Sequence, residues 1–168
     1  MNDTQISELT SKSEFDYIDL VRHALINDHD CFRISPNDNL DIPFKINDSN
    51  EAFTLGAFLE NKLIGVVSFN REGTNREKLR HKGLLTRMIV AEEHRGKGIG
   101  KQLISEVIKR AKMINGIEQI NLTVIPTNEK AKWLYEQFGF ITYASEKNAI
   151  KWNGHYYTED QMVLELLS

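Results

Sequence analysis

The sequence has 168 residues, of which 40% are hydrophobic and 27% are charged, and its net charge is −3. This length and composition are typical of a soluble globular protein with one domain over residues 1–168. No apolar run approaches the roughly 18 residues that cross a bilayer, the N-terminus lacks the parts of a signal peptide, and Cys31 is the only cysteine. We therefore expect a cytoplasmic protein without intramolecular disulfide bonds and without a membrane partner.

The charge is distributed unevenly along the chain. Residues 1–60 hold four Lys/Arg and twelve Asp/Glu, a balance of −8, whereas residues 61–168 hold seventeen and twelve, a balance of +5. Such asymmetry can reflect two differently charged partners, and an uneven scatter of solvated charge explains it equally well. The basic run REKLRHK at 76–82 is too short for a nucleic-acid-binding face, so we expect no nucleic-acid partner.

The first third of the chain predicts a short strand, a helix and a long polar connection. Residues 5–9 favour a strand, and residues 35–52 form the connection. The helix is predicted over 13–28, where Ser13 and Asp16 resemble a capping box. Its apolar residues lie at near-helical spacing: Phe15, Ile18, Val21, Leu25 and Ile26.

The central part predicts a hairpin followed by a strand, a helix and a strand. The hairpin covers 53–70 and turns at 60–62, where an asparagine tolerates a tight turn. Residues 83–91 read as a buried central strand, and residues 119–125 as its parallel neighbour after a crossover helix. That helix has one apolar stripe: Ile99, Leu103, Val107, Ile108, Ala111 and Ile114.

The last part predicts another helix and two strands. A stripe of Ala131, Leu134, Tyr135 and Phe138 follows Asn128, and Gly139 is placed to end the helix. Strands are predicted over 140–144 and 162–166, with an Asn153-Gly154 turn signal between them and Trp152, His155, Tyr156 and Tyr157 as hairpin and core aromatics. The order β-α-β-β-β-α-β-α-β-β indicates an α/β fold, with a mixed sheet and helices on its faces.

The stretch EEHRGKGIGKQLI, residues 92–104, places three glycines between a strand and a helix. Two nucleotide-binding loops are excluded by spacing. A Walker A loop would need glycine at Arg95 and a hydroxyl at Gln102, and a Rossmann fingerprint would need a small residue at Lys101 or Leu103. A phosphate cradle formed by helix-start N–H groups remains, and the alternative is a glycine-rich turn with solvated lysines.

With its strand, this stretch resembles the acetyl-CoA-binding motif Arg/Gln-x-x-Gly-x-Gly/Ala of the GNAT superfamily of N-acetyltransferases. A second signature, NEKAKWLYEQFGF from Asn128, lies at the family's usual distance, and the element order resembles the family across nearly the whole chain. The resemblance implies a sheet of about seven strands, splayed between the fourth and fifth, with helices on both faces.

The resemblance also implies acetyl-CoA as co-substrate and an amine as acceptor. The pantetheine arm is expected along the main chain of Met88, Ile89 and Val90. The pyrophosphate is expected on the main-chain N–H groups of the glycine loop, which Arg95 opens: Gly96, Lys97, Gly98, Ile99, Gly100 and Lys101.

The resemblance to the family implies roles for three residues of the second signature. Asn128 would contact the pantetheine region, or cap the helix, or do both. Ala131 would be small so that the helix lies close to the arm. Tyr135 would be the general acid that protonates the leaving thiolate, although by periodicity alone it belongs to an apolar stripe. A phenol, with an ordinary pKa near 10, stays protonated at neutral pH.

The general base is not identified. Thr123 stands where several members carry a glutamate, and solvated loop charge describes Glu72, Glu92, Glu93 and His94 better than catalysis. No metal is expected, because His29 and Cys31 lack a second ligand pair. The expected reaction is direct acetyl transfer to a primary amine in a ternary complex, the acceptor being a cationic small molecule or peptide. A catalytically silent acyl-CoA-binding module is the alternative, and homodimers are common in such families.

Overall fold

The computed structural model describes residues 4–40 and 50–166; residues 41–49 of the predicted polar connection lie outside the described residues. Within these ranges the predicted order of strands and helices is confirmed. None of the described helices is long and apolar enough to cross a membrane. The elements are β1 (Gln5–Glu8), α1 (Glu14–Asn27), β2 (Ala52–Leu59), β3 (Lys62–Arg71), β4 (Lys82–Val90), α2 (Ile99–Ala111), β5 (Gln119–Val124), α3 (Glu129–Gln137), β6 (Ile141–Trp152) and β7 (His155–Glu165).

The strands form one mixed sheet in the order β1-β2-β3-β4-β5-β7-β6. Its one parallel pair is β4 with β5, and the other neighbours are antiparallel. The predicted hairpin turn between β2 and β3 is confirmed, with Glu60 and Asn61 both at positive φ (49° and 67°). This places β4, which precedes the glycine loop, in the middle of the sheet.

The helices cover the two faces of the sheet separately. Helices α2 and α3 pack on what we call the α2/α3 face, where Leu103, Ile120 and Phe140 belong to one buried cluster. Helix α1 packs on the opposite α1 face, where Tyr17, Val66 and Ile89 belong to a second cluster. Successive strand residues point to opposite faces, so β2, β3 and β4 contribute to both clusters.

The prediction for α1 was wrong in its detail. The buried residues are Tyr17, Val21, Ala24 and Leu25, whereas Phe15 and Ile26 are 81% and 62% exposed. The predicted capping box does not form, because Ser13 ends a 3₁₀ turn and makes no side-chain hydrogen bond to the helix. The buried stripe therefore includes Tyr17 and Ala24, which the predicted apolar pattern did not contain.

The C-terminal strands are much longer than predicted. Strands β6 and β7 pair over most of their 12 and 11 residues, and Asn153 and Gly154 form the turn at positive φ. The segment between 144 and 162 is therefore a β-ribbon. The aromatics near the turn are hairpin residues, as predicted, but Tyr156 is 56% exposed and His155 is exposed, so these two are not core residues; Trp152 and Tyr157 are half-buried.

Candidate functional site

The parallel strands β4 and β5 pair at one end only. Three residue pairs join them, the last being Leu84 with Asn121, while β4 continues to Val90 still paired with β3. A bulge in β4 sets Arg87, at φ 54°, and Met88 against a single residue of β3. A bulge bends its strand and breaks regular pairing. The side of β4 that faces β5 is therefore an open main-chain edge from Leu85 to Val90. At a rise of 3.3 Å per residue, this edge is about 20 Å long.

The glycine loop at the end of this open edge has the geometry of an anion site. Gly96 and Gly98 have φ of 75° and 80°, and a Cβ at either would meet no atom within 4 Å. Gly98 is the N-cap of α2, and as a glycine it offers no side-chain hydrogen bond to the helix. Because the first N–H groups of a helix lack intrahelical partners, those of Ile99, Gly100 and Lys101 remain available to a ligand.

The third glycine of the loop, Gly100, allows close packing between elements. A Cβ at Gly100 would lie 3.0 Å from Cδ2 of Leu134 and 3.0 Å from Cε of Met88. These contacts are tighter than ordinary van der Waals packing, so a larger residue would push α2 away from α3. Gly100 therefore brings together the loop, the open strand and the second signature.

The cationic side chains of the loop mostly fold back onto the protein. Arg95 forms a bidentate ion pair with Asp28 at the end of α1 and donates to the carbonyl of Val90 at 3.0 Å. The hydrogen bonds that Arg95 donates to the Asp28 carboxylate raise the pKa of its guanidinium. Lys97 donates through Nζ to the carbonyl of Glu93 at 2.8 Å, and Lys101 is exposed. Arg95 thus fastens the loop to α1 and the sheet.

A cavity of about 520 Å³ lies on the other side of the β4 end, between α1 and the β2–β3 turn. Lys62 and Arg95 line it together with six carboxylates: Asp16, Asp19, Asp28, Glu60, Glu92 and Glu93. Such a lining repels phosphates, so this cavity does not suit a phosphate-bearing cofactor. Four of the twelve carboxylates of residues 1–60 line this cavity.

Helix α3 is fixed at both its start and its first turn. The side chain of Asn128 accepts a hydrogen bond from the N–H of Ala131 at 3.3 Å, which is the N-cap that the sequence allows. Lys132 forms an ion pair at 2.7 Å with Asp160 on β7, whose pKa is lowered by that hydrogen bond. Gly139, at φ 90°, follows the helix as predicted.

Replacing Asn128 with alanine is expected to lower the free energy of unfolding by about 1 kcal/mol, because the helix loses its N-cap. Denaturant titration measures this loss. Serine, which also caps helices, should restore most of the stability. Equal stability of the alanine variant and the unsubstituted protein would contradict the capping role.

Tyr135 lies on α3 inside the large cluster of the α2/α3 face. Its side chain is 6% exposed, and its ring packs edge-on against Phe140 with centroids 5.8 Å apart. Burial raises the pKa of its phenol well above the ordinary range. Met88, Val90 and Ala131 border the same cluster, whereas Ile89 points to the α1 face. The α2/α3 face thus brings together Tyr135, the open strand and the second signature.

One polar network at the closed end of the splay was missed by the sequence reasoning. Asn121, which is 9% exposed, donates to Oε2 of Glu72 at 3.0 Å and accepts from Gln119 at 2.9 Å. Glu72 is thus a half-buried, hydrogen-bonded carboxylate, and its interpretation as solvated loop charge was wrong. No sequence pattern indicates the contact, because the two residues are 49 positions apart.

The sequence of the chain matches one family of known proteins. The family model described as "Acetyltransferase (GNAT) family" matches residues 19–140. The chain is 33% identical over 85 residues to N-alpha-acetyltransferase MAK3 of Arabidopsis thaliana, covering 51% of this chain and 43% of that protein. It is 31% identical over 84 residues to spermidine N(1)-acetyltransferase of Vibrio cholerae, covering 50% and 49%.

The fold also matches that of solved structures along nearly the whole chain. The structure of yncA from Salmonella typhimurium, solved with its cofactor acetyl-CoA, has a TM-score of 0.86, a sequence identity of 17%, and coverage of 99% of this chain and 95% of that one. At this identity the likeness shows the fold alone. The chain spans only 28% to 49% of the length of the curated relatives it matches.

Proposed function

Because the chain belongs to the acetyltransferase (GNAT) family, we propose that it transfers the acetyl group of acetyl-CoA to a primary amine by direct attack in a ternary complex. The observation that carries this proposal is the open edge of β4, which ends at a helix start without a side-chain cap. An extended polar chain with a diphosphate at one end fits both features. Its arm would pair with a strand edge, and its phosphates would meet helix N–H groups.

Different residues of the chain bind different parts of acetyl-CoA in this proposal. Met88, Ile89 and Val90 offer main-chain groups to the pantetheine arm, and Ala131 leaves room for it beside α3. The loop from Gly96 to Lys101 offers N–H groups to the pyrophosphate. Arg95 contributes chiefly by holding the loop in place, because its guanidinium is committed to Asp28 and Val90.

Acetyl-CoA supplies a thioester whose carbonyl carbon accepts the lone pair of a neutral amine. As the C–N bond forms and the C–S bond breaks, the nitrogen loses a proton to solvent and the departing sulfur needs one. Tyr135 is the proposed donor, since a buried phenol remains protonated at neutral pH. Proton donation to the leaving group contributes about 100- to 10,000-fold in comparable reactions.

Direct attack agrees with the environment of Cys31. Burial raises the pKa of this thiol to about 11, and the neighbouring Asp30 and Asp28 add to the effect. A thiol in this state holds little thiolate at neutral pH, so it is a poor nucleophile for an acetyl-cysteine intermediate.

The variant Cys31→Ala is therefore expected to keep the steady-state kcat of the unsubstituted protein, because no step of the proposed reaction uses the thiol. Steady-state rates at saturating acetyl-CoA give the comparison. Loss of most of the turnover, with acetylation of Cys31 seen by mass spectrometry, would replace direct attack with a covalent route.

The relatives named above act, by their names, on different amines: an N-alpha group in one case and the N(1) of spermidine in the other. Both kinds of acceptor are cationic before reaction. The acidic surface around α1 favours such acceptors through its electrostatic field. We therefore include a cationic amine, small molecule or peptide, in the proposed function.

Thiol release from acetyl-CoA tests the proposal. The amines for this assay are n-butylamine, spermidine, a peptide with a free N-terminus and an N-terminally blocked lysine peptide. Release that depends on at least one amine supports an N-acetyltransferase. Tight acetyl-CoA binding without amine-dependent release from any of them would favour a silent binding module instead.

A further inference from the structure

The closed end of the splay contains the Glu72–Asn121–Gln119 network, which no step of the proposed reaction has used. Asn121 is the last β5 residue that pairs with β4, so the network lies where the two strands begin to separate. An arm that starts at the glycine loop and follows the open edge of β4 directs its reactive end toward this point. The network therefore lies at the reactive end of the cleft.

The network lies on the α1 face of the sheet, opposite the cluster that contains Tyr135. Ile120, Leu122 and Val124 point into the cluster of the α2/α3 face, to which Tyr135 also belongs. Asn121 and Thr123 alternate with them and point to the α1 face. Thr123 is exposed on that face, whereas Leu122 and Val124 are buried on the other. The α1 face is thus the side of the cleft opposite the proposed proton donor.

Glu72 reaches this face because the pairing of β3 with β4 continues one residue beyond Arg71. Its main-chain N–H donates to the carbonyl of Lys82 at 2.8 Å, which continues the β3–β4 ladder by one residue. Its side chain then spans β4 to meet Asn121 on β5. Asn121 is in turn oriented by Gln119, so the carboxylate is held by a chain of amides and does not move freely with the loop.

We infer that Glu72 binds the ammonium group of the acceptor on the α1 face of the cleft, and that Asn121 is the residue that positions it. The inference rests on the proposed function and assigns a binding residue to the ammonium group of its cationic acceptor. A carboxylate that accepts one hydrogen bond from an amide keeps lone pairs for a second donor. Charge-assisted hydrogen bonds of this kind are the stronger ones in proteins.

Steady-state kinetics of Glu72→Gln test the inference, with n-butylamine and spermidine as probes. Glutamine keeps an oxygen that can accept from Asn121 but removes the charge. The expected result is a fall of about 10- to 100-fold in kcat/KM for the amine, mostly through KM, because one charged hydrogen bond is lost. The KM for acetyl-CoA should stay within about twofold, since Glu72 lies away from the glycine loop.

Two further variants separate binding from a structural effect. Glu77→Gln removes an exposed carboxylate from the same β3–β4 loop and should leave both KM values unchanged. Asn121→Ala should raise the amine KM alone, and it should add little in the Glu72→Gln background, because both changes remove the same interaction.

The outcomes distinguish this inference from the function on which it rests. If the unsubstituted protein turns over no amine, the proposed function fails and the inference fails with it. If it turns over amines and Glu72→Gln does so with the same amine KM, only the inference is overturned. A parallel rise in both KM values would show a structural disturbance and would also overturn it.

Discussion

Replacing Tyr135 with phenylalanine is expected to lower kcat by about 100-fold or more, because the leaving thiolate loses its proton donor. The apolar contacts remain, since phenylalanine keeps the ring that packs edge-on against Phe140. The KM for the amine and the Kd for acetyl-CoA should change little, as expected for an interaction made only in the transition state. Steady-state rates and calorimetric binding of acetyl-CoA measure the two effects.

The matched control for this variant is Tyr17→Phe. Tyr17 is 1% exposed, but it lies on α1 and packs on the opposite face of the sheet. Its substitution removes a buried phenol hydroxyl without touching the cleft, so kcat should be retained even if the free energy of unfolding decreases. Turnover of Tyr135→Phe equal to that of the unsubstituted protein would remove Tyr135 from the mechanism.

The second large effect is expected for Gly98→Val, which should weaken acetyl-CoA binding by at least about 100-fold through lost main-chain hydrogen bonds to phosphate. Gly98 has φ of 80°, a conformation that costs residues with a Cβ about 1–2 kcal/mol and disfavours β-branched side chains most. The loop would therefore move, and the side chain would occupy the space above the helix start. Isothermal titration with acetyl-CoA measures the loss.

Gly154→Val is the control, because Gly154 shares the two local properties of Gly98. It also has φ of 80°, and a Cβ there would likewise meet nothing within 4 Å, but it lies in the β6–β7 turn. Both variants should lose similar thermal stability, and only the first should lose binding. Normal affinity of Gly98→Val for acetyl-CoA would refute the pyrophosphate-loop assignment.

The sequence predicted the elements around the glycine loop well because local rules decide them. The strand before the loop is mostly apolar, the stripe from Ile99 has helical period, and Asn128 and Gly139 bound α3 by ordinary capping rules. These signals act within a few residues. The splay between β4 and β5 followed from the family resemblance, and the pairing of the two strands confirms it.

The failures on secondary structure have a common physical cause. Strand β6 is an edge strand that is exposed along most of its length, so it shows no apolar alternation that could mark it as a strand. In α1 the buried stripe uses Tyr17 and Ala24, and the more hydrophobic Phe15 and Ile26 remain on the surface. Hydrophobicity indicates a buried face only when the most apolar residues are the ones that the fold covers.

The contacts of the candidate site were the least predictable part. Arg95 reads as a cofactor residue in the motif, but its side chain meets Asp28, 67 positions earlier. Glu72 reads as a loop carboxylate, but the registers of β3, β4 and β5 bring it to Asn121. Such contacts depend on strand register and on side chains that cross a neighbouring strand, and neither has a local sequence signal.

The central claim is acetyl transfer from acetyl-CoA to an amine without a covalent enzyme intermediate. Mass spectrometry of the whole reaction, with acceptor and protein measured together, tests it most directly. We predict that the amine gains one acetyl group for each thiol released and that the protein stays unmodified. Acetyl-CoA bound to the protein with no acetylated amine, or an acetyl group on the protein, would contradict the account.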